Sequence, residues 1–366
     1  MSKTALKFKK CLVEYQKQTY IKEVDDCNDE VLIDCALGIN PFGYSKAVEA
    51  FAKSFPFNPT AYPSYPYVEA RAAISAFWAE VVPLRIDNFR LYGGSVAVLE
   101  AVCRAFTDNG TKVLGYAPQF AEFAFCVSIL GGVYETVALD PKENYRFNAE
   151  RFCAAMTDEY ALAYLDNPNN PTGQVIPLRD IERIVKHART RGIAVLVDEA
   201  YGDFITKNES AIALLGQYDN LMVARSFSKG YGLAGLRVGY LACGGEIMRY
   251  CDKVSVPFSV TPVAAAAAVE ATKDEAFIVE CRAKVAEKKQ YLLEALRHFD
   301  CLETDMRVPI MTLVDRKGRN LYQLLRKQGV LTESGDDIDM GRSAVRLRIS
   351  SDAERLVRIL NDPSLA

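Results

Sequence analysis

The chain has 366 residues, half of them hydrophobic and a quarter charged, with a formal net charge of −3. That length allows a large core and two domains, and the slightly acidic balance excludes a global basic field for nucleic acid or an anionic membrane. The two histidines, His187 and His298, and ten cysteines without a Cys-x-x-Cys pair or metal-like spacing leave no structural zinc site and few partners for Ser-His-Asp or Cys-His catalysis.

The N-terminal stretch MSKTALKFKKCLVEYQKQTY is basic and lacks the continuous apolar run of a signal peptide. No apolar run reaches the length of about 18 residues needed to span a bilayer. Scattered cysteines suit a reducing compartment, so a cytoplasmic protein is expected. Residues 67–81 (YVEARAAISAFWAEV) have apolar positions at helical spacing, and FRLYGG follows as a strand. Helix 96–106 leads into the strand and turn TKVLGYAP. YALAYLDNP (160–168) is a buried strand ending in a turn, and LRDIERIVKHARTRG is the next helix. IAVLVDEAY (193–201) and NLMVARSFSK (220–229) are two further strands. This alternation predicts an α/β fold with a mostly parallel sheet sandwiched by helices. Residues 275–299 form a long amphipathic helix, followed by the alternating segments VPIMTLVDR and AVRLRIS and a last helix at 352–361. The expected division is an N-terminal segment 1–44 contributing to a small domain, a large domain 45–255, and a small α+β domain 256–366.

Ligands of open α/β sheets sit beyond the carboxyl ends of the strands. Four turns there are rich in polar groups: GGSVA (93–97), DNPNNPTG (166–173), VDEAY (197–201) and SFSKGYGLAGLR (226–237). GYGLAG matches a dinucleotide fingerprint, but the β-rich LRVGYLACGG follows it where a crossover helix is required. The bland alternative is a surface lysine in a glycine loop; the company of Lys229 argues against it. A lysine that forms a Schiff base needs its pKa depressed by burial or a neighbouring cation. If the aldehyde is that of pyridoxal phosphate, the phosphate needs hydroxyls, amides and an arginine, and the ring nitrogen needs a carboxylate. Ser226, Ser228 and Arg237, with the amides of the GGS turn, can meet the first demand; Asp198 can meet the second. Asn170 and Tyr201 can donate to the phenolic oxygen.

On the motifs NPNNPTG, VDEAY and SFSKGYGLAGLRVGY, the chain resembles the fold-type-I pyridoxal-phosphate enzymes. It is similar to the class I/II aminotransferases, in the branch of histidinol-phosphate aminotransferases and threonine-phosphate decarboxylases, from about residue 32 to about residue 360. The resemblance implies that Lys229 carries the cofactor and shuttles the proton, and that Asp198 pairs the pyridinium. It assigns Asn170 and Tyr201 to the phenolic oxygen, and Ser226, Ser228, Arg237, Gly94 and Ser95 to the phosphate. Phe123 matches the aromatic that stacks on the ring. Tyr62 matches a tyrosine reaching the partner subunit's site, which implies a homodimer. Arg348 matches the arginine for the substrate α-carboxylate, with Arg346 two positions away on the same strand face. Asn40 in GINPFG matches the segment closing over the substrate. Two departures stand out: Val96 and Ala97 replace an acidic pair after the Gly-Ser turn, and Thr332 stands where the histidinol-phosphate enzymes carry an arginine. The second weakens the case for a phosphorylated substrate. The expected activity is transamination between an amino acid and a 2-oxo acid. The rivals are a decarboxylase, lyase or cyclase of the same fold, and a non-catalytic cofactor-binding module.

Overall fold

The computed structural model describes residues 7–14, 32–56 and 58–366; of the expected N-terminal segment, residues 1–6 and 15–31 lie outside the described ones. In chain order the strands are β1 (Ile33–Asp34), β2 (Phe89–Tyr92), β3 (Lys112–Ala117), β4 (Val133–Ala138), β5 (Tyr160–Asp166), β6 (Ala194–Glu199), β7 (Leu221–Ser226), β8 (Gly239–Cys243), β9 (Phe299–Cys301), β10 (Ile310–Asp315), β11 (Val330–Leu331), β12 (Glu333–Ser334) and β13 (Ala344–Arg348).

Seven of them form one sheet in the order β2-β8-β7-β6-β5-β3-β4. The pairs from β4 through β7 are parallel, and β8 runs antiparallel to both neighbours. The fold is thus the helix-sandwiched, mostly parallel α/β architecture. β6 is buried at every position because both sheet faces are covered: Val195 and Val197 enter one core, Ala194 and Leu196 the other. The glycines after Lys229 open no crossover helix. A short 3-10 turn (Ala234–Leu236) leads straight into antiparallel β8, which removes the dinucleotide alternative.

A second, antiparallel sheet has the order β12-β13-β10-β9, and β1 pairs in parallel with β11 beside it. Both share a third core with Ile33 and Cys35 from the N-terminal segment. Two expected boundaries move. The helix Pro262–Thr272 buries Ala264, Ala267, Ala268 and Ala271 in the core of the large sheet, and Ile278 joins the same core, so the chain still contributes to it well beyond the expected boundary near 255. An alanine face contributes little apolar area, but it permits close approach to the helix Val68–Trp78. The long helix Glu275–Ala295 ends before 299, because Phe299 starts β9. No helix of the described residues is long and apolar enough to cross a membrane.

Candidate active site

The lysine turn is fixed by what flanks it. Phe227, Tyr231, Leu233 and Val238 are buried in the core of the large sheet, and Phe227 N–H donates to Val238 O at 3.1 Å. Ser226, Ser228, Lys229 and Arg237 alternate with these anchors and stay at the sheet's carboxyl edge. Arg237 has φ +52°, a left-handed backbone that a non-glycine residue adopts at a cost of about 1 kcal/mol. Its guanidinium donates to Ser228 Oγ at 3.4 Å, Ala234 O at 3.0 Å and Gly93 O at 3.3 Å. It therefore lies against the start of the helix Ser95–Phe106, whose N-cap, Gly94, has φ +95° and no side chain to satisfy the first amides. A Cβ at Gly94 would meet Arg237 Nη2 at 2.5 Å. Arginine, two serine hydroxyls and an uncapped helix N-terminus form a donor set suited to a phosphate dianion.

Asp198, at the end of β6, is buried and accepts from Ala200 N–H at 3.0 Å and from Tyr164 OH at 3.2 Å. Burial, then the neighbouring Asp166 carboxylate, push its pKa up to about 7 against those two donors. A protonated heterocyclic nitrogen is the partner that would return it to the ionised state. Asp166 lies opposite Asp198 in the β5–β6 register. It accepts from Tyr116 OH at 2.5 Å and from Asn170 N–H at 2.9 Å, so it holds the turn that carries Asn170. Phe123 is fully buried and stacks on Tyr164, with ring centroids 4.0 Å apart. Tyr164 thus joins the stacked pair to Asp198 through its hydroxyl.

Lys229 Nζ lies 5.7 Å from the centroid of the Tyr201 ring. Burial, then the charges of Arg346 and Arg237, bring its pKa down to about 8. Gly38 passes so close that a Cβ there would run into Tyr201 OH and stand 3.0 Å from Lys229 Nζ. Asn40 does not reach into the site. Its amide donates to Gly230 O at 2.6 Å and its carbonyl accepts from Phe42 N–H at 2.8 Å, so it ties the segment to the residue after Lys229.

The two arginines of β13 differ in their partners. Arg348 donates to Leu37 O at 2.6 Å, to Ile349 O at 2.9 Å and to Asp34 O, so backbone carbonyls absorb its guanidinium. Arg346 instead donates to Asn170 Oδ1 at 3.3 Å and to Ala36 O, and its charge is the one Lys229 feels most. β13 alternation puts both on one face; only the course of residues 34–37 decides which is consumed. Tyr62 is 82 % exposed, with its ring 5.0 Å from Phe258, and lies away from Lys229's neighbours. Arg346 enters the sequence reading only as the neighbour of Arg348 on the same strand face. Gly38, Asp166 and Glu333 do not enter it as site residues: Gly38 and Asp166 stand within the motifs GINPFG and DNPNNPTG, while Glu333 carries no local signal. Among the described residues no group of His, Cys, Asp or Glu is arranged to hold a metal.

Fold and site define a pyridoxal-phosphate-dependent enzyme of fold type I: an anion cradle, a carboxylate for a ring nitrogen and a lysine of lowered pKa meet at one sheet edge. Residues 36–361 match the aminotransferase class I and II family, and the chain belongs to it. It is an aminotransferase, whose substrates are small molecules, amino acids and 2-oxo acids. It is 33% identical over 277 residues to the histidinol-phosphate aminotransferase of a Geobacillus species, covering 73% of each chain. A Thermus thermophilus aspartate aminotransferase single mutant superposes with a TM-score of 0.84 at 20% identity, over 97% of this chain and 100% of that one. The Sinorhizobium meliloti histidinol-phosphate aminotransferase in complex with pyridoxal-5'-phosphate gives 0.77 at 21% identity, over 92% and 91%.

Proposed function

We propose that Lys229 is the amine that takes the cofactor aldehyde and then serves as general base, and that Arg346 binds the substrate α-carboxylate. The observation that carries this is the convergence of Lys229, Arg346, Asn170 and Gly38 at one point. When bound, pyridoxal phosphate supplies an aldehyde for the amino group and a protonated ring that spreads negative charge from the α-carbon. Asp198 would hold the ring nitrogen's proton, Asn170 and Tyr201 the phenolic oxygen, and Ser226, Ser228, Arg237 and the Gly94–Ser95 amides the phosphate. The Phe123–Tyr164 wall would limit one side of the ring. Lys229 Nζ, neutral above about pH 8, takes the α-proton of the amino acid and holds it for return. The histidinol-phosphate specificity of the relatives is not carried over, because Thr332 and an acidic neighbour stand where an anionic group would have to be received.

The direct test is to mix the yellow holoprotein with a pool of amino acids, without any oxo acid, and weigh the cofactor. Conversion to pyridoxamine phosphate supports the assignment, and splitting the pool names the donor; retained pyridoxal phosphate with released carbon dioxide would sink it. The arginines separate by variants. R346Q should raise KM for amino acid and oxo acid alike by about 30-fold, the loss expected for one desolvated charge pair of about 2 kcal/mol. R348Q should instead lower the melting temperature and leave KM within about threefold, since its partners are backbone carbonyls.

We also infer a homodimer in which Tyr62 reaches the partner's site. Tyr62, Tyr65 (47 % exposed), Phe258 (45 %) and Val256 (61 %) form an apolar patch larger than isolated surface residues make. Light scattering should return twice the chain mass of 40.6 kDa; a monomer at micromolar concentration rejects the inference. A cytoplasmic location is proposed on the buried free thiols, such as Cys103, Cys243 and Cys281.

A further inference from the structure

Glu333 lies directly opposite Arg346 in the β12–β13 register. Glu333 Oε2 comes to 2.7 Å from Arg346 Nη2, and both side chains are nearly buried, at 9% and 6% exposure. The approach is a charge contact without hydrogen-bond alignment. Glu333 Oε2 accepts no hydrogen bond, Arg346 Nε donates none, and the buried Thr332 Oγ1 next in the chain has no partner either. Buried polar atoms are almost always satisfied, so orphans gathered at one point call for a ligand. Thr312, across β13 from Arg346, donates to Pro171 O at 3.1 Å, so this face of the small sheet looks onto the Asn170 turn.

The charges at this point do not balance once a substrate arrives. Arg346 is one cation; an α-carboxylate on it and the Glu333 carboxylate already beside it are two anions. A buried carboxylate stripped of its partner is strongly unfavourable. The α-ammonium of an amino acid is taken up in the link to the cofactor aldehyde, and Arg348 is held by backbone carbonyls, so a further cation on the substrate would offset the extra carboxylate, while a phosphate or carboxylate at the far end of the side chain would make the excess worse. We propose that Glu333 is a specificity-determining residue that selects amino donors whose side chain ends in an ammonium or guanidinium group and rejects those ending in phosphate or carboxylate. This rests on Arg346 being the α-carboxylate clamp. The same carboxylate lies within electrostatic range of Lys229, where it favours the charged amine. A cation from the substrate offsets that effect and leaves Lys229 freer to act as base.

The test uses the holoenzyme and ligands that cannot react because they lack an α-amino group: unbranched carboxylates bearing a terminal amine, each compared by titration calorimetry with the same carboxylate without it. The best terminal amine should bind the native protein about tenfold or more tighter than its plain counterpart, as a charge-assisted contact requires. E333Q keeps the shape, removes the charge, and should bring that ratio close to one while plain-carboxylate affinity holds or improves. E333D, which keeps the charge, should retain part of the ratio and guards against a folding defect in E333Q. A ratio near one in the native protein, or one unchanged by E333Q, overturns the role of Glu333 alone. Equal weakening of both ligands in E333Q means that Glu333 only orients Arg346, and also overturns it. The clamp has a separate readout: if R346Q keeps its affinity for plain carboxylates, the shared-guanidinium argument falls at its first step.

Discussion

Replacing Lys229 with alanine should leave a protein that still binds pyridoxal phosphate but is not linked to it after borohydride reduction, and that runs the half-reaction about 10⁴-fold slower. That factor is the upper end of what one positioned general base contributes. The cradle at Gly94, Ser226, Ser228 and Arg237 touches none of the lost atoms, so cofactor retention in K229A separates binding from chemistry. The native protein offers a companion measurement. The pKa of Lys229 lies below the ordinary lysine value, at about 8, so covalent capture of added pyridoxal phosphate by the cofactor-free protein should accelerate as pH rises through 8. Above that value the neutral amine dominates and the rate levels off. After burial, Arg346 is the largest contributor to the depression; R346Q should therefore move the midpoint upward. A rate still rising steeply beyond pH 9.5 in the native protein would mean that Lys229 behaves as an ordinary surface amine.

The second large effect is on stability. Arg225 Nη1 donates to Glu199 Oε2 at 2.9 Å and Nη2 to Asp203 Oδ1 at 2.5 Å, with all three side chains at 5% exposure or less. R225M strips two buried carboxylates of the guanidinium they share, leaving Arg282 near Asp203 alone, and breaking a buried pair this way costs about 3–5 kcal/mol. Urea unfolding should show the midpoint falling sharply. The triple variant R225M/E199Q/D203N should recover part of the loss, because the uncompensated charge goes with the pair. Glu199 follows Asp198 and Arg225 precedes Ser226, so this triad also sets the spacing between Asp198 and the hydroxyls of Ser226 and Ser228 proposed for the phosphate. R225M should accordingly release cofactor more readily than the native protein under conditions where both are folded. Unchanged stability would show that apolar packing around Trp78, whose ring lies 5.3 Å from the guanidinium, carries the region instead.

The parts of the fold legible in the sequence are those where one periodic run decides the element. β5, β6 and β7 are continuous apolar runs ending in polar turns, and that contrast alone brings Asp198 and the Lys229 loop to the same edge. β4 escaped notice because it is a half-exposed edge strand, with neither a continuous apolar run nor clean alternation. The helix Pro262–Thr272 gave no sign in the sequence of belonging to the large core, since alanines on all sides name no buried face. The proposed cofactor side of the site was readable because its residues sit in contiguous motifs. The substrate side was not, because it depends on how residues 34–38 lie across the small sheet. That course occupies Arg348 fully and Arg346 in part, while the β12–β13 register sets Glu333 against Arg346. A two-residue strand such as β12 has no period to betray it.

The antiparallel return of β8 has a consequence for how the site is assembled. Ser226, Ser228, Lys229 and Arg237 all lie on a single hairpin formed by β7, the lysine turn and β8. Closing such a loop costs little chain entropy. Asp198 joins by one parallel crossover, Asn170 by another, and Gly94 and Arg346 only after distant parts of the chain have docked. Low contact order favours early formation, so the phosphate half of the site belongs to the locally encoded part of the fold and the substrate half to the part that waits for the whole chain.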